Sequence, residues 1–364
     1  MTRTTADIVV IGSGVIGLTT TLALADAGLD VVLLADVRQG EASPAAAGML
    51  APGVEAGDAA VRALHTTARD RWVPYAAMLA ERSGVPVPVD RRGVLQLALD
   101  DEAAAALVAR APGGAQWLDQ SSLAALEPAL VHAVGALHHP HDGAVNPLVV
   151  LRALRAIVGR HVHVRVVSDA ATAVAIGPTG EAVTVMLRSG ESLSAMRVVV
   201  ATGAWTTALE GLPRALPIEP VRGQLMSVAS KALQHVVYGG GGYVVPRGDG
   251  RTLIGSTMER VGFPEPGATP EGVATLRRIG AAVFSKLETA PMLHAWAGLR
   301  PMTPDALPIL GPDPAAPALL WATGHSRNGV LLAPLSADIV ASTVTGSPAP
   351  IDPAPFAADR FSAR

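Results

Sequence analysis

The chain has 364 residues, 49% hydrophobic and 16% charged, which gives it the length for two packed domains and the composition of a globular protein, not a disordered one. A formal net charge of −3, with no basic run, exerts no pull toward nucleic acid or an anionic membrane surface. The absence of cysteine excludes disulfides, a thiolate nucleophile, a thiolate metal site and any prosthetic group tethered through cysteine. No uninterrupted apolar run reaches membrane-spanning length, and the default compartment is the cytoplasm.

The first organised stretch, Asp7 to Asp36, reads as strand, glycine turn, helix and strand. Ile8 to Ile11 form the continuous apolar run of a strand covered on both faces, and Gly12, Gly14 and Gly17 then fall on the template G-x-G-x-x-G. In that template the first glycine makes the tight turn, the second admits a pyrophosphate to the backbone, and the third lets the helix pack closely on the strand. Val15, Leu18, Leu22 and Ala25 recur at helical spacing, Gly28 is placed to stop the helix, and Val31 to Leu34 make the second strand. The free N–H groups of the helix start therefore point at a diphosphate. Arg3, the apolar stretch and Ala23-Leu24-Ala25 imitate a signal peptide, but Asp7 and three glycines inside the supposed apolar core argue against one. The acid expected at the end of the second strand to hold a ribose is replaced by Ala35, with Asp36 next.

After Asp36, Ser43 is the expected N-cap of a helix start with Pro44 at its first position, and small residues continue through Gly48. A long helical pattern spans Asp58 to Arg82, and two strand-like runs then flank a turn at Gly93. Short helices follow at Asp101 to Arg110 and Ser122 to Leu126. His138, His139 and His141 do not make a metal site, because adjacent strand residues point to opposite faces and no carboxylate or cysteine completes a ligand set. Asn146-Pro147 caps a helix through Val158, and the alternation in His161 to Val167, Ala171 to Ile176 and Val183 to Leu187 predicts a small antiparallel unit. Arg197 to Gly203 (RVVVATG) is a buried strand ending in small residues, where a loop can pass close to a nucleotide. A second excursion contains PVRGQLMSV, Tyr238, the glycine run 239–242, YVVPR and a helix from Pro270 to Leu287. WAGLRPMTPDALPILG, a strand at Ala318 to Thr323 and GHSRNGVLLAP then lead into a C-terminal helix. The two excursions pair into one domain.

Taken in this order, GSGVIG, SPAAAGMLAP, DGAVNP, VVVATGAW, YVVPR, GSTM, WAGLRPMTPDALPILG and GHSRNGVLLAP span nearly the whole chain. With them the sequence resembles the D-amino acid oxidase superfamily of flavoenzymes, and within it the bacterial glycine oxidases. The resemblance implies an α/β chain, α+β overall. A Rossmann-like FAD-binding domain with a parallel sheet would comprise residues 1–80, 142–215 and 293–364, and a mostly antiparallel substrate-binding domain residues 81–141 and 216–292. It implies non-covalent FAD held at Gly12, Gly14, Val15, Ile16 and Gly17, and at Asp36. Further contacts would come from Ser43, Ala46, Ala47, Gly48, Met49 and Leu50, and from Thr202, Gly203 and Trp205. Gly298, Arg300, His325, Arg327, Asn328, Gly329 and Val330 would complete the site. The implied reaction takes glycine, or another small amine or D-amino acid, with oxygen and water to a 2-oxo acid, ammonia and peroxide. In some organisms the imine feeds thiamine thiazole synthesis. A homotetramer is also implied.

Hydride removal from an amino acid Cα requires a neutral amine, a clamped carboxylate and a C–H bond aimed at flavin N5. An arginine fork makes the best clamp, and in the matching motif that residue is Arg300, the competing reading being an arginine paired with a surface acid. Tyr243 matches the family's tyrosine, whose hydroxyl donates to the same carboxylate. Arg327 lies just before the last helix, whose N-terminus is expected at the flavin pyrimidine edge; the alternative for Arg327 is a second carboxylate contact. Met258 either lines the pocket or belongs to the core. Gly241 stands where such oxidases can carry a histidine, and Ser326 where an aromatic is common, so a roomier pocket is expected, open to sarcosine, D-alanine or D-proline. The rivals are a D-amino acid dehydrogenase that reduces a quinone, a non-catalytic flavin sensor, and a nicotinamide dehydrogenase; the last leaves RVVVATG and GHSRNG unexplained.

Overall fold

The computed structural model describes residues 4–55, 57, 59–177 and 182–361, and the opening stretch folds in it as strand β1 (Thr4–Ile11), helix α1 (Val15–Asp26) and strand β2 (Val31–Leu34). Residues 8–11 and 31–34 are buried, as the two apolar runs require, and pair in parallel from Ile8 opposite Val31 to Ile11 opposite Leu34. Ser192–Val200, the strand of RVVVATG, lies parallel on the other side of β1, and its end pairs in parallel with Ala316–Thr323. The sheet therefore gathers the carboxyl ends of β1, β2 and Ser192–Val200 at one edge, where open parallel sheets bind ligands.

On one face of the sheet α1 packs against both Pro147–Val158 and the last helix, Gly329–Thr345. The Asn146 side chain caps the first of these, accepting from Leu148 N at 3.1 Å, with Pro147 at its first position. The closeness of α1 to β1 depends on Gly17. A Cβ there would lie 1.8 Å from the carbonyl oxygen of Gly12, so the helix can sit against the strand only without a side chain at that position.

An eight-stranded second sheet runs in the order Met292–Met302, Glu219–Ala229, Arg251–Gly255, Gly242–Arg247, Val236–Gly239, Val94–Ala98, Gly135–His139, Gln116–Asp119. Its pairings are antiparallel except between Val236–Gly239 and Val94–Ala98. Strands from both excursions thus share one sheet. The two sheets meet across the small-residue segment: Trp296 Nε1 donates to Ala45 O at 3.0 Å, and Arg247 Nη2 to Ala47 O at 2.5 Å.

Two expectations are corrected. Val164–Val167 does not join an antiparallel unit; it pairs in parallel with β2, because it follows a helix packed on the sheet face, the connection that delivers parallel strands. Only Ala171–Ile176 and Val183–Leu187 form the antiparallel extension. The two runs flanking Gly93 are strands as expected: Val89–Asp90 joins Gly143–Val145, and Val94–Ala98 enters the large sheet, the turn at Gly93 (φ 97°) passing the chain from one to the other. The long helical pattern divides into Ala59–Asp70 and Trp72–Ser83, Asp58 lying outside the described residues; Trp72 at the break is fully buried and its indole N–H donates to Leu331 O at 3.0 Å. Among the described residues no helix is long and apolar enough to cross a membrane.

Gly17→Ala should destabilise the protein by about 1–3 kcal/mol or more through this overlap, lowering Tm in a thermal melt. Gly113→Ala, whose Cβ meets nothing within 4 Å, should leave Tm nearly unchanged. Equal melting of the two variants would contradict the close helix–strand contact.

Candidate active site

A long cavity opens where the carboxyl edge of the parallel sheet faces the second sheet, lined from the Gly12 turn at one end to Tyr243 and Arg300 at the other. The start of α1 forms its first wall. Gly14 brings no capping side chain and the first turn of α1 holds no acid, so no charge of the helix itself offsets its positive end. Ser43 was the expected cap of its own helix. That helix is only the turn Ala42–Ala45 with Glu41 at the N-cap, and the Ser43 hydroxyl instead reaches across to accept from Val15 N at 3.0 Å. The segment thus fastens onto the glycine turn, and its small side chains 45–47 and Gly48 line the cavity beside it.

At the sheet edge Asp36, not Ala35, faces the cavity. Its carboxylate accepts from Arg38 Nε at 2.8 Å and Arg188 Nη2 at 2.9 Å. Glu41 fixes the loop by accepting from Arg38 N at 2.9 Å, and burial raises its pKa above the ordinary value. The Arg38 guanidinium lies 5.7 Å from the Trp205 ring, which joins Thr202 and Gly203 in the same wall.

The far end is built by the second sheet. Arg300 and Gly223 are neighbours on paired strands, and a Cβ at Gly223 would lie 2.1 Å from Arg300 Nη1, so the missing side chain makes room for the guanidinium. Arg300 Nη2 donates to Ser256 Oγ at 2.7 Å and Nη1 to the Thr257 carbonyl at 3.2 Å. Burial pulls its pKa below the ordinary value, while the neighbouring Tyr243 hydroxyl favours its charge. Among the described residues no carboxylate forms an ion pair with it. Arg327 is different: it is ion-paired to Glu55, and although burial opposes its charge, Glu55 and Tyr238 together hold its pKa above the ordinary value.

Most residues expected at the site are brought together. Gly12, Gly14, Val15, Ile16, Met49, Gly298 and the run 325–330 all line the cavity, as do Gly241 and Met258, the latter 52% exposed. Leu50 does not: its side chain turns away into the hydrophobic core, because alternate residues of the strand Met49–Leu50 face opposite ways and Met49 takes the cavity side. Gly17 lies behind the turn, against Gly12. Ser326 adopts φ 51° and its hydroxyl accepts from Thr303 N at 3.2 Å. Glu55, Tyr238, Arg38 and Glu41 were not expected at the site. Of these only Tyr238 carried a sequence signal, since a hairpin around the glycine run places it directly opposite Tyr243.

The N-terminus of Gly329–Thr345 also opens on the cavity, with no side-chain cap and no acid in its first turn. Two open helix starts in one apolar-walled channel fit FAD, whose pyrophosphate belongs at the Gly14 end and whose flavin pyrimidine edge, negative on reduction, belongs at the Gly329 end.

Complete burial pushes the His325 imidazole down to about 3, so it stays neutral, its Nε2 2.9 Å from Ser336 Oγ. As pH falls below the ordinary 6.5, the unfolded chain gains a proton here that the folded chain refuses, so this stability is full above 6.5 and lost towards about 3. His325→Gln should flatten the loss of stability over that window by up to about 1.4 kcal/mol per pH unit in denaturant titrations, and an unchanged slope would contradict the neutral buried imidazole.

Comparison with known proteins supports FAD as the cofactor. The chain is 33% identical to a glycine oxidase of Pseudomonas aeruginosa, over 96% of its own length and 98% of that protein. It is 34% identical to a bifunctional protein ThiO/ThiG of Nostoc over 93% of its length, but spans only 53%, about half, of that relative. The crystal structure of glycine oxidase from Geobacillus kaustophilus superposes with a TM-score of 0.90, at 30% identity, covering 99% of this chain and 100% of that one. The sequence profile described as FAD dependent oxidoreductase, DAO, matches residues 7–343, and the chain belongs to that family.

Proposed function

We propose that the protein catalyses oxidative deamination of glycine and other small amines or D-amino acids: glycine, O2 and H2O give glyoxylate, NH3 and H2O2. The observation that carries this reading is Arg300, a guanidinium facing the cavity beside Tyr243 with no acidic partner among the described residues. A substrate carboxylate would accept two parallel hydrogen bonds from its fork and a third from the Tyr243 hydroxyl. The same positive charge of Arg300 disfavours a substrate ammonium and favours the neutral amine that the chemistry needs. When bound, FAD supplies the acceptor for the hydride leaving the substrate Cα. The remaining work is positioning: Arg300 and Tyr243 fix the carboxylate, and Gly223 leaves the fork its space.

Gly241 supports a pocket that admits more than glycine, since the space where its Cβ would stand holds no atom within 4 Å. Dioxygen as electron acceptor, a cytoplasmic location, a homo-oligomer and a role of the imine in thiamine synthesis belong to the same proposal. So does the division into an FAD domain and a substrate domain at the boundaries above.

Arg300→Ala should keep its FAD, measured by flavin absorbance, and lose roughly 100-fold in kcat/KM for glycine, mostly through KM, which corresponds to about 3 kcal/mol. An unchanged KM would mean the clamp lies elsewhere. At least one of sarcosine, D-alanine and D-proline should match glycine in kcat/KM; a steep fall for all three would sink the roomy pocket. Peroxide should form with substrate and oxygen alone, and turnover only on adding a quinone would favour the dehydrogenase.

A further inference from the structure

The far end of the cavity holds two arginine–tyrosine units, not one. Arg300 stands with Tyr243 and Arg327 with Tyr238. The two tyrosines face each other across the hairpin of Val236–Gly239 and Gly242–Arg247, ring centroids 6.3 Å apart and 31° from coplanar. Each unit offers a planar fork of N–H donors with a phenol hydroxyl nearby, the chemistry that recognises a carboxylate. The units differ in one respect. Among the described residues Arg300 donates to two neutral oxygens, Ser256 Oγ and the Thr257 carbonyl, and forms no ion pair, whereas Arg327 is ion-paired with Glu55, whose side chain is 12% exposed.

We propose that Glu55 is a specificity-determining residue, an internal carboxylate that occupies the second of two carboxylate sites and so restricts the cavity to amino acids carrying one carboxylate. This rests on the reading of the cavity as an amino acid site. Two arginines without Glu55 would present two positive charges and suit a dianion. With Glu55 the cluster keeps one net positive charge, matched to a single carboxylate. A second substrate carboxylate approaching Arg327 would have to displace Glu55 or stand beside a like charge, and both oppose binding. Arg327 and Glu55, 272 residues apart in the chain, both line the cavity that Arg300 and Tyr243 also line, so the pair is exposed to the same ligand space.

The test uses the FAD-loaded protein and its Glu55→Gln and Glu55→Asp variants, with folding checked by flavin absorbance and Tm. Binding of acetate, malonate, succinate and glutarate is measured by calorimetry, and kcat/KM for glycine and D-aspartate by peroxide release. For Glu55→Gln the account expects at least one dicarboxylate to gain about tenfold or more in affinity relative to acetate, with D-aspartate gaining similarly on glycine. Glu55→Asp, which retains the charge, should keep the wild-type preference. If Glu55→Gln weakens acetate and the dicarboxylates alike, or leaves their ratio unchanged, Glu55 only steadies Arg327 and the proposal is overturned. Failure of the amino acid reading would show separately, as wild-type protein that neither binds acetate nor oxidises glycine.

Discussion

The proposed chemistry depends on one charge, the Arg300 guanidinium, with which no carboxylate of the described residues forms an ion pair. A buried guanidinium is costly unless something pairs with it, and among the described residues Arg300 donates to two neutral oxygens, Ser256 Oγ and the Thr257 carbonyl. In the proposed reading a substrate carboxylate would relieve that cost, and the relief would add affinity for the end of the substrate that has to be held. The contrast with Arg327, already satisfied by Glu55, shows that the chain could have supplied an acid and did so only on one side.

Holding that fork in place requires the two sheets to keep a fixed relation, and the segment from Glu41 to Met49 does this. It is fastened to the glycine turn through Ser43 and Val15 N, and to the second sheet through Trp296 and Arg247, which donate to its carbonyls. A Cβ at Gly298 would lie 2.5 Å from the Ala45 methyl, so the contact is as tight as the residues allow. The run of small residues in the sequence is therefore a packing requirement as well as a ligand wall: larger side chains would push the sheets apart and widen the channel they enclose.

The parts legible in the sequence are those whose physics is local. The G-x-G-x-x-G turn, the apolar runs of β1 and β2, the Asn146-Pro147 cap and the glycine-ended strand RVVVATG each follow from neighbouring residues, and all stand where they were expected. The parts that escaped depend on residues far apart in the chain. Glu55 meets Arg327 across 272 residues and Asp36 meets Arg188 across 152, and nothing near any of them announces the partner. Ser43 has a local rule, capping, that a distant donor overrides, and Leu50 is turned from the cavity by the alternation of a two-residue strand too short to read. Tyr238 is the intermediate case, since its pairing with Tyr243 is symmetrical about the glycine turn and so is implied by the hairpin.

The central claim is that a small amino acid held at Arg300 and Tyr243 is the electron donor. The most direct measurement mixes the purified FAD-loaded protein with glycine, sarcosine or D-alanine in the absence of oxygen and follows the visible flavin absorbance together with the 2-oxo acid formed. The account predicts that the band bleaches with at least one of these substrates, glycine among those tested first, and that one equivalent of 2-oxo acid appears per flavin. A band unchanged by all three would contradict it.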